Sequence, residues 1–125
     1  MLAFGPIASV AAGIGFVLIG IAALAKPEIL SHLYGLYSHE RNGRAFVRAA
    51  GVRDIAIGAL LIVFAFTAPF ALFVTLIAGA CVAVADFILV WRTNRTFDPM
   101  LYSHLAGAAA FAVIATFVGI AALSR

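Results

Sequence analysis

Four long apolar stretches, separated by short polar segments, make up most of this chain. They cover about residues 2–24, 45–66, 70–90 and 103–123. Each has roughly 20 residues, the length that an α-helix needs to cross the hydrocarbon core of a bilayer. The pattern predicts an all-α fold, an integral membrane four-helix bundle that forms a single domain over residues 1–125.

The segment between the first two apolar stretches has a mixed pattern. From Pro27 to His39, Leu30, Leu33, Tyr34 and Tyr37 share one helical face, and polar residues occupy the others. Proline suits the first turn of a helix, and tyrosines are enriched at the headgroup level. The segment is therefore predicted to be an interfacial amphipathic helix. The Asn42-Gly43 dipeptide after it is predicted to interrupt the helical structure before the second span.

Composition agrees with a membrane location. Of the 125 residues 66% are hydrophobic and 10% are charged, whereas a soluble domain carries about a quarter charged residues. The mean hydropathy is +1.17. The basic loops favour the anionic inner leaflet or an anionic ligand and give no reason to expect nucleic acid.

The basic residues are distributed unevenly between the two sides of the predicted bundle. Seven of the eight belong to the side that holds the first and third loops, and only Arg125 belongs to the side of the termini. The positive-inside rule then places those loops in the cytoplasm and both termini outside. We expect an integral protein of the cytoplasmic or plasma membrane, in contact with membrane lipids, and a homo-oligomer is left open.

Ionisable residues enter the spans from the cytoplasmic end. At a rise of about 1.5 Å per residue, Arg53 and Asp54 lie roughly 9–10 Å inside span two and Asp86 roughly 6–7 Å inside span three. His104 opens span four. Such residues usually face a bundle interior or a cavity and pair with one another.

The helical faces support an inward orientation. Asp54, Asp86 and His104 each share a face with small residues, where helices in membranes meet. We predict that these three residues face one cavity and act as its catalytic groups. Ligand binding is predicted for the remaining members of the set, which are Arg44, Arg48, Arg53 and Phe111.

A purely structural role is the main alternative for the charged residues. Asp54 would then neutralise Arg53, Arg48 or Arg44, and Asp86 would pair with another arginine, as buried ion pairs do when they fix an arrangement of helices. A zinc site is not expected, because the single cysteine, Cys81, lies in mid-membrane several turns from any histidine. No metal and no cofactor are predicted.

The segment FVRAAGVRDIAIGALL (residues 46–61) resembles a family of small four-span membrane proteins known as a domain of unknown function. That family is similar to the wider DoxX-like group. The resemblance rests on Arg48, Gly51, Arg53, Asp54 and Gly58, together with Asp86 late in span three and His104 at the start of span four. It implies a four-helix bundle and groups these positions as a set, without a reaction.

Three classes of function follow. The first is a small membrane enzyme that uses acid/base chemistry on a lipophilic or amphiphilic small molecule, of isomerase, cyclase or hydratase type. The second is a proton- or cation-coupled transporter of small molecules, and the third is an accessory or assembly subunit with a structural salt-bridge cluster. The enzyme ranks first because arginines beside acids suit the binding and polarising of a ligand. A transport path would also need polar groups in the opposite half, where only Ser9, Thr67, Thr75 and Thr116 are found.

Overall fold

A computed structural model describes residues 4–35, 41–94 and 99–123. Its elements, in chain order, are α1 (Phe4–Ala25), α2 (Pro27–Leu33), α3 (Arg41–Thr67), α4 (Pro69–Asn94), a 3₁₀ turn (Pro99–Leu101) and α5 (Tyr102–Leu123). The described residues contain no strand. The predicted all-α membrane four-helix bundle is confirmed, with α1, α3, α4 and α5 as the long helices.

The outer surface of the bundle is apolar. Large side chains such as Ile7, Leu18, Phe66 and Phe70 are more than half exposed, and each long helix has the length and hydropathy of a membrane span. A bundle of this size cannot bury all of these apolar side chains in its core. Their exposure is favourable when the surrounding medium is lipid. The chain is therefore an integral membrane protein.

Two helix pairs build the bundle. α1 packs mainly on α3, and α4 packs mainly on α5. Between α1 and α3 the approach is set by glycines, because a Cβ added to Gly13 would lie 2.7 Å from the Gly58 carbonyl oxygen, and one on Gly51 would lie 2.8 Å from the Gly20 carbonyl oxygen. In lipid, such close backbone packing is a main source of helix association.

Apolar core residues form two clusters. The larger lies towards the end of the bundle that holds the termini and contains Leu61, Leu72, Leu76, Phe111, Ile114, Ala115 and Val118. The smaller lies at the other end, here called the α2 end, and contains Ala23, Leu30, Tyr34, Val47 and Ala50. Arg53, Asp54 and Asp86 lie between the two clusters.

α2 is shorter and more deeply packed than the sequence indicated. Pro27 occupies its first turn, and its C-terminus is followed by Gly35, whose φ of +69° is a conformation that glycine adopts without strain. Leu30 and Tyr34 are buried against α1 and α3. The prediction of one helix from Pro27 to His39 is thus wrong, because α2 ends at Leu33, while Tyr37 and His39 lie outside the described residues.

The predicted break at Asn42-Gly43 is also wrong. α3 already begins at Arg41, so the dipeptide lies within the first turn of the helix. The N–H groups of a first turn have no partner within the helix, and glycine costs less helical stability there than in a helix interior.

Candidate functional site

Arg53 joins two carboxylates from different helices. Its Nη1 and Nη2 donate to the two carboxylate oxygens of Asp86 on α4, at 2.9 and 2.7 Å. Nη2 and Nε also donate to Oδ1 of Asp54, the next residue on α3, at 3.2 and 3.4 Å. The planar guanidinium matches a carboxylate in this two-pronged geometry, so Arg53 fixes α3 against α4 at this level.

Tyr34 completes the chain of hydrogen bonds from the other side. Its hydroxyl donates a hydrogen bond to Oδ2 of Asp54. Burial, the hydrogen bond to Asp54 and the negative charge of Asp54 raise the pKa of the Tyr34 hydroxyl above its ordinary value. Tyr34 therefore keeps its proton at physiological pH and acts as a donor to the carboxylate.

Residues from α4 and α5 hold the end of α2 in place. His104 Nε2 lies 3.3 Å from the carbonyl oxygen of Tyr34, and since a carbonyl only accepts, this nitrogen carries the hydrogen. Asn94 Nδ2 donates to the Gly35 carbonyl at 2.6 Å, and the Ser103 hydroxyl lies 3.3 Å from the Leu33 carbonyl. The last carbonyls of a helix lack partners within it, and His104 and Asn94 supply partners at this end. The Ser103 hydroxyl makes its shorter bond to the Met100 carbonyl, at 2.6 Å.

A cavity of about 140 Å³ lies beside the charged residues. Its polar end is formed by Tyr34, Arg53, Asp54, Asp86 and His104. The rest of the wall is apolar, and at its deep end the rings of Phe16 and Phe111 pack 5.0 Å apart. Phe111 also lies directly over Gly79, where a Cβ would come within 2.8 Å of the ring.

The structure brings most, but not all, of the predicted site residues together. Asp54, Asp86, His104, Arg53 and Phe111 all line this cavity. His104, however, is bonded to the backbone carbonyl of Tyr34 and not to Asp54 or Asp86 within the described residues.

The other two predicted ligand-binding residues lie elsewhere. Arg44 and Arg48 do not line the cavity. The Arg44 Nε lies 3.8 Å from a Glu28 carboxylate oxygen near the α2 end, in a pair whose side chains are 41% and 53% exposed. The Arg48 side chain is exposed.

Tyr34 is the member of the site that sequence reasoning missed. A tyrosine in a short mixed segment is typical of the membrane interface. The pattern of that segment gave no sign that the Tyr34 hydroxyl would bond to Asp54. The available signal was its position next to Gly35, since a turn there directs the end of α2 back towards the bundle.

The described residues offer no metal centre. No three of their His, Cys, Asp or Glu side chains lie close enough together to hold an ion. Cys81 is exposed on α4. Arg53 pairs with both Asp54 and Asp86.

Fold and site together define a class: a small integral membrane four-helix bundle with a buried Tyr–Asp–Arg–Asp chain beside an apolar cavity. Within this class the chain belongs to the family described as domain of unknown function (DUF4267), whose match covers residues 13–118 and so includes every member of that chain. No curated protein and no solved structure matches it.

Proposed function

We propose that this protein is a small membrane enzyme that performs acid/base chemistry on a lipophilic or amphiphilic molecule. The observation that carries the proposal is the hydrogen-bonded pair of Tyr34 and Asp54 at the polar end of an otherwise apolar cavity. Ionisable groups inside a membrane are costly, and they usually mark a functional site. Isomerisation, cyclisation and hydration all require a proton to be moved in such a setting.

Each polar residue has a distinct role in the proposed chemistry. Asp54 takes a proton from a carbon or oxygen of the ligand and returns one at another atom. Tyr34 orients Asp54, while Arg53 offsets the charge of Asp54 and Asp86 and fixes their positions. His104 is a positioning residue, because it acts on Tyr34 through the backbone carbonyl.

The size of the cavity sets the size of the reacting group. An apolar cavity of about 150 Å³ accommodates benzene, and the volume here is about 140 Å³. The cavity therefore suits a ring or a short branched segment of a larger lipophilic molecule. Phe16 and Phe111 supply the flat apolar wall on which such a group would pack.

The transporter alternative has less support. Ser9, Thr67, Thr75 and Thr116, the hydroxyl residues predicted for the opposite half, each donate to a carbonyl of their own helix. Beyond Phe111 lies the larger apolar cluster.

If no chemistry is found, the third class of function applies, an accessory subunit in which the salt bridges are structural. A relation to the DoxX-like group is likewise a proposal, supported by the number and order of the spans.

The experiment exploits the exchange of protons with solvent. The purified protein in lipid nanodiscs is incubated in deuterated water with a lipid extract, and apolar molecules are analysed by mass spectrometry for deuterium bound to carbon. We expect incorporation with the wild type and none with Asp54→Asn or Tyr34→Phe, while Tyr102→Phe, at an exposed tyrosine outside the cavity, behaves as the wild type. Absence of incorporation above a protein-free control would reject the enzyme proposal in favour of the accessory one.

A further inference from the structure

The exposed members of the cavity wall all lie on one side. Among the described lining residues only Ile19, Leu33 and Ser103 are exposed, and they belong to α1, α2 and α5. The lining residues of α3 and α4 are buried or half-buried. The cavity thus opens between α1 and α5, next to α2, on the lipid-facing surface of the bundle.

Gly107 lies on the inner wall of α5 near this opening. It lines the cavity, and a Cβ added to it would meet no atom within 4 Å. The space in front of Gly107 is therefore empty space of the cavity and not a helix contact, in contrast to Gly79, which is covered by Phe111.

The polar end offers more acceptors than donors. Two ionised carboxylates present about eight lone-pair positions. Bonds from the described residues fill five of them, one from Tyr34 and four from Arg53. With both carboxylates ionised, the three charged side chains also carry one more negative than positive charge.

These properties determine which polar group the site can hold. A carboxylate or phosphate would add a second unbalanced negative charge in an apolar surrounding, where such a charge is costly. A hydroxyl or ammonium group would instead donate to the acceptor positions of Asp54 and Asp86 that no described residue fills, and an ammonium would also balance the charge.

We propose that the cavity opens sideways to the bilayer between α1 and α5 and accepts an amphiphile whose polar group donates hydrogen bonds, an alcohol or an amine. This inference rests on the site of the proposed function and names its class of ligand. The polar group lies against Asp54 and Asp86, and the apolar tail leaves between Ile19 and Gly107.

A matched set of probes tests the polarity of the site. Binding of decylamine, decanol and decanoate to the full chain in nanodiscs is measured by the shift of its thermal unfolding, after subtraction of the shift seen with an unrelated membrane protein. We expect decylamine and decanol to bind and decanoate to bind at least about tenfold more weakly, the loss that corresponds to one hydrogen bond to a charged group. Asp86→Asn should weaken decylamine more than decanol. Preferred binding of decanoate, or no binding of any probe, would overturn the proposal.

Two pairs of variants test the location and the entrance. Gly107→Leu fills the cavity and should abolish binding, whereas Gly15→Leu, at a position equally free of neighbours but outside the cavity, should not. Ile19→Trp narrows the opening and should slow association, and Ile21→Trp, on an exposed part of the same helix, should leave it unchanged. Equal behaviour of the two glycine variants would refute binding in this cavity, and equal behaviour of the two isoleucine variants would refute the sideways entrance.

The outcome is separable from that of the deuterium experiment. Selective binding of the amine and alcohol without deuterium incorporation would support this inference and reject the enzyme. Deuterium incorporation together with preferred binding of decanoate would support the enzyme proposal and reject this inference.

Discussion

At the scale of single residues, Arg53 is the residue on which the charged cluster depends. It contacts both carboxylates, Asp54 and Asp86. Removing one partner of a buried ion pair is strongly destabilising because it leaves an uncompensated charge. The order of destabilisation among variants therefore reports how the cluster is connected.

We predict that Arg53→Gln lowers the free energy of unfolding by about 3–5 kcal/mol. Asp54→Ala should cost less, since it leaves the pair of Arg53 and Asp86 in place. Thermal and denaturant-induced unfolding in detergent measure both. Arg48→Gln, at an exposed arginine five residues away, is the control and should stay within about 0.5 kcal/mol. Equal losses for Arg53→Gln and Arg48→Gln would contradict the observed connectivity.

Tyr34 leads to a prediction about pH. Because the pKa of its hydroxyl is raised in the folded protein, the unfolded chain releases this proton first, at about pH 10. The folded state then binds more protons than the unfolded one, so stability is complete below about pH 10 and declines as the pH rises further. Tyr34→Phe should lose about 1.5–3 kcal/mol at neutral pH and should show less of this decline. The unfolding free energy of wild type and variant between neutral and alkaline pH is the measurement, and parallel curves would show that Tyr34 is not the titrating group.

At the scale of elements, α2 and the contact between α1 and α3 determine the geometry of the site. α2 is short, and its end is held by Asn94 and His104 from the other helix pair. The glycines of α1 and α3 bring these helices close together, which leaves the Asp54 side of α3 to face the cavity and α4.

We predict that Gly58→Ala destabilises the bundle by about 1–3 kcal/mol, as overpacking of a tight contact does. Its added Cβ would lie 2.5 Å from the Gly13 carbonyl oxygen, so α1 and α3 would have to separate. Gly15→Ala, where the Cβ meets nothing within 4 Å, should be neutral or slightly stabilising because alanine is the better helix former. The measurement is the thermal unfolding of the two variants under the same conditions. A Gly58→Ala protein as stable as the Gly15→Ala protein would mean that α1 and α3 pack differently.

At the scale of the whole molecule, all the described carboxylates and histidines lie in the α2 half of the bundle, from Glu28 and His32 to His104. This half also carries most of the basic residues, on which the predicted orientation depends. The orientation in the membrane and the oligomeric state stay predictions.

The orientation can be measured by cysteine labelling. In a Cys81→Ser background, which removes the exposed native thiol, a cysteine placed after Arg125 should react with an impermeant reagent from outside the cell. A cysteine at Asn94 should react only after permeabilisation. The reverse result would place the α2 end, and with it the candidate site, on the outer side.

The sequence by itself determined the number of long helices, the lipid-facing composition and the end of the bundle at which Asp54, Asp86 and His104 lie. It could do so because the length of an apolar stretch sets the number of spans and the constant rise of a helix sets the depth of each residue. Only the tertiary structure decided that Arg53, and not Arg44 or Arg48, joins the two carboxylates, since this depends on the rotation of α3 against α4 and on the reach of a long side chain. It also decided that Tyr34 belongs to the site. The turn at Gly35 and the bonds from Asn94 and His104 direct α2 inward, and these contacts come from residues about 60 to 70 positions away in the chain, which no local pattern in the α2 segment encodes.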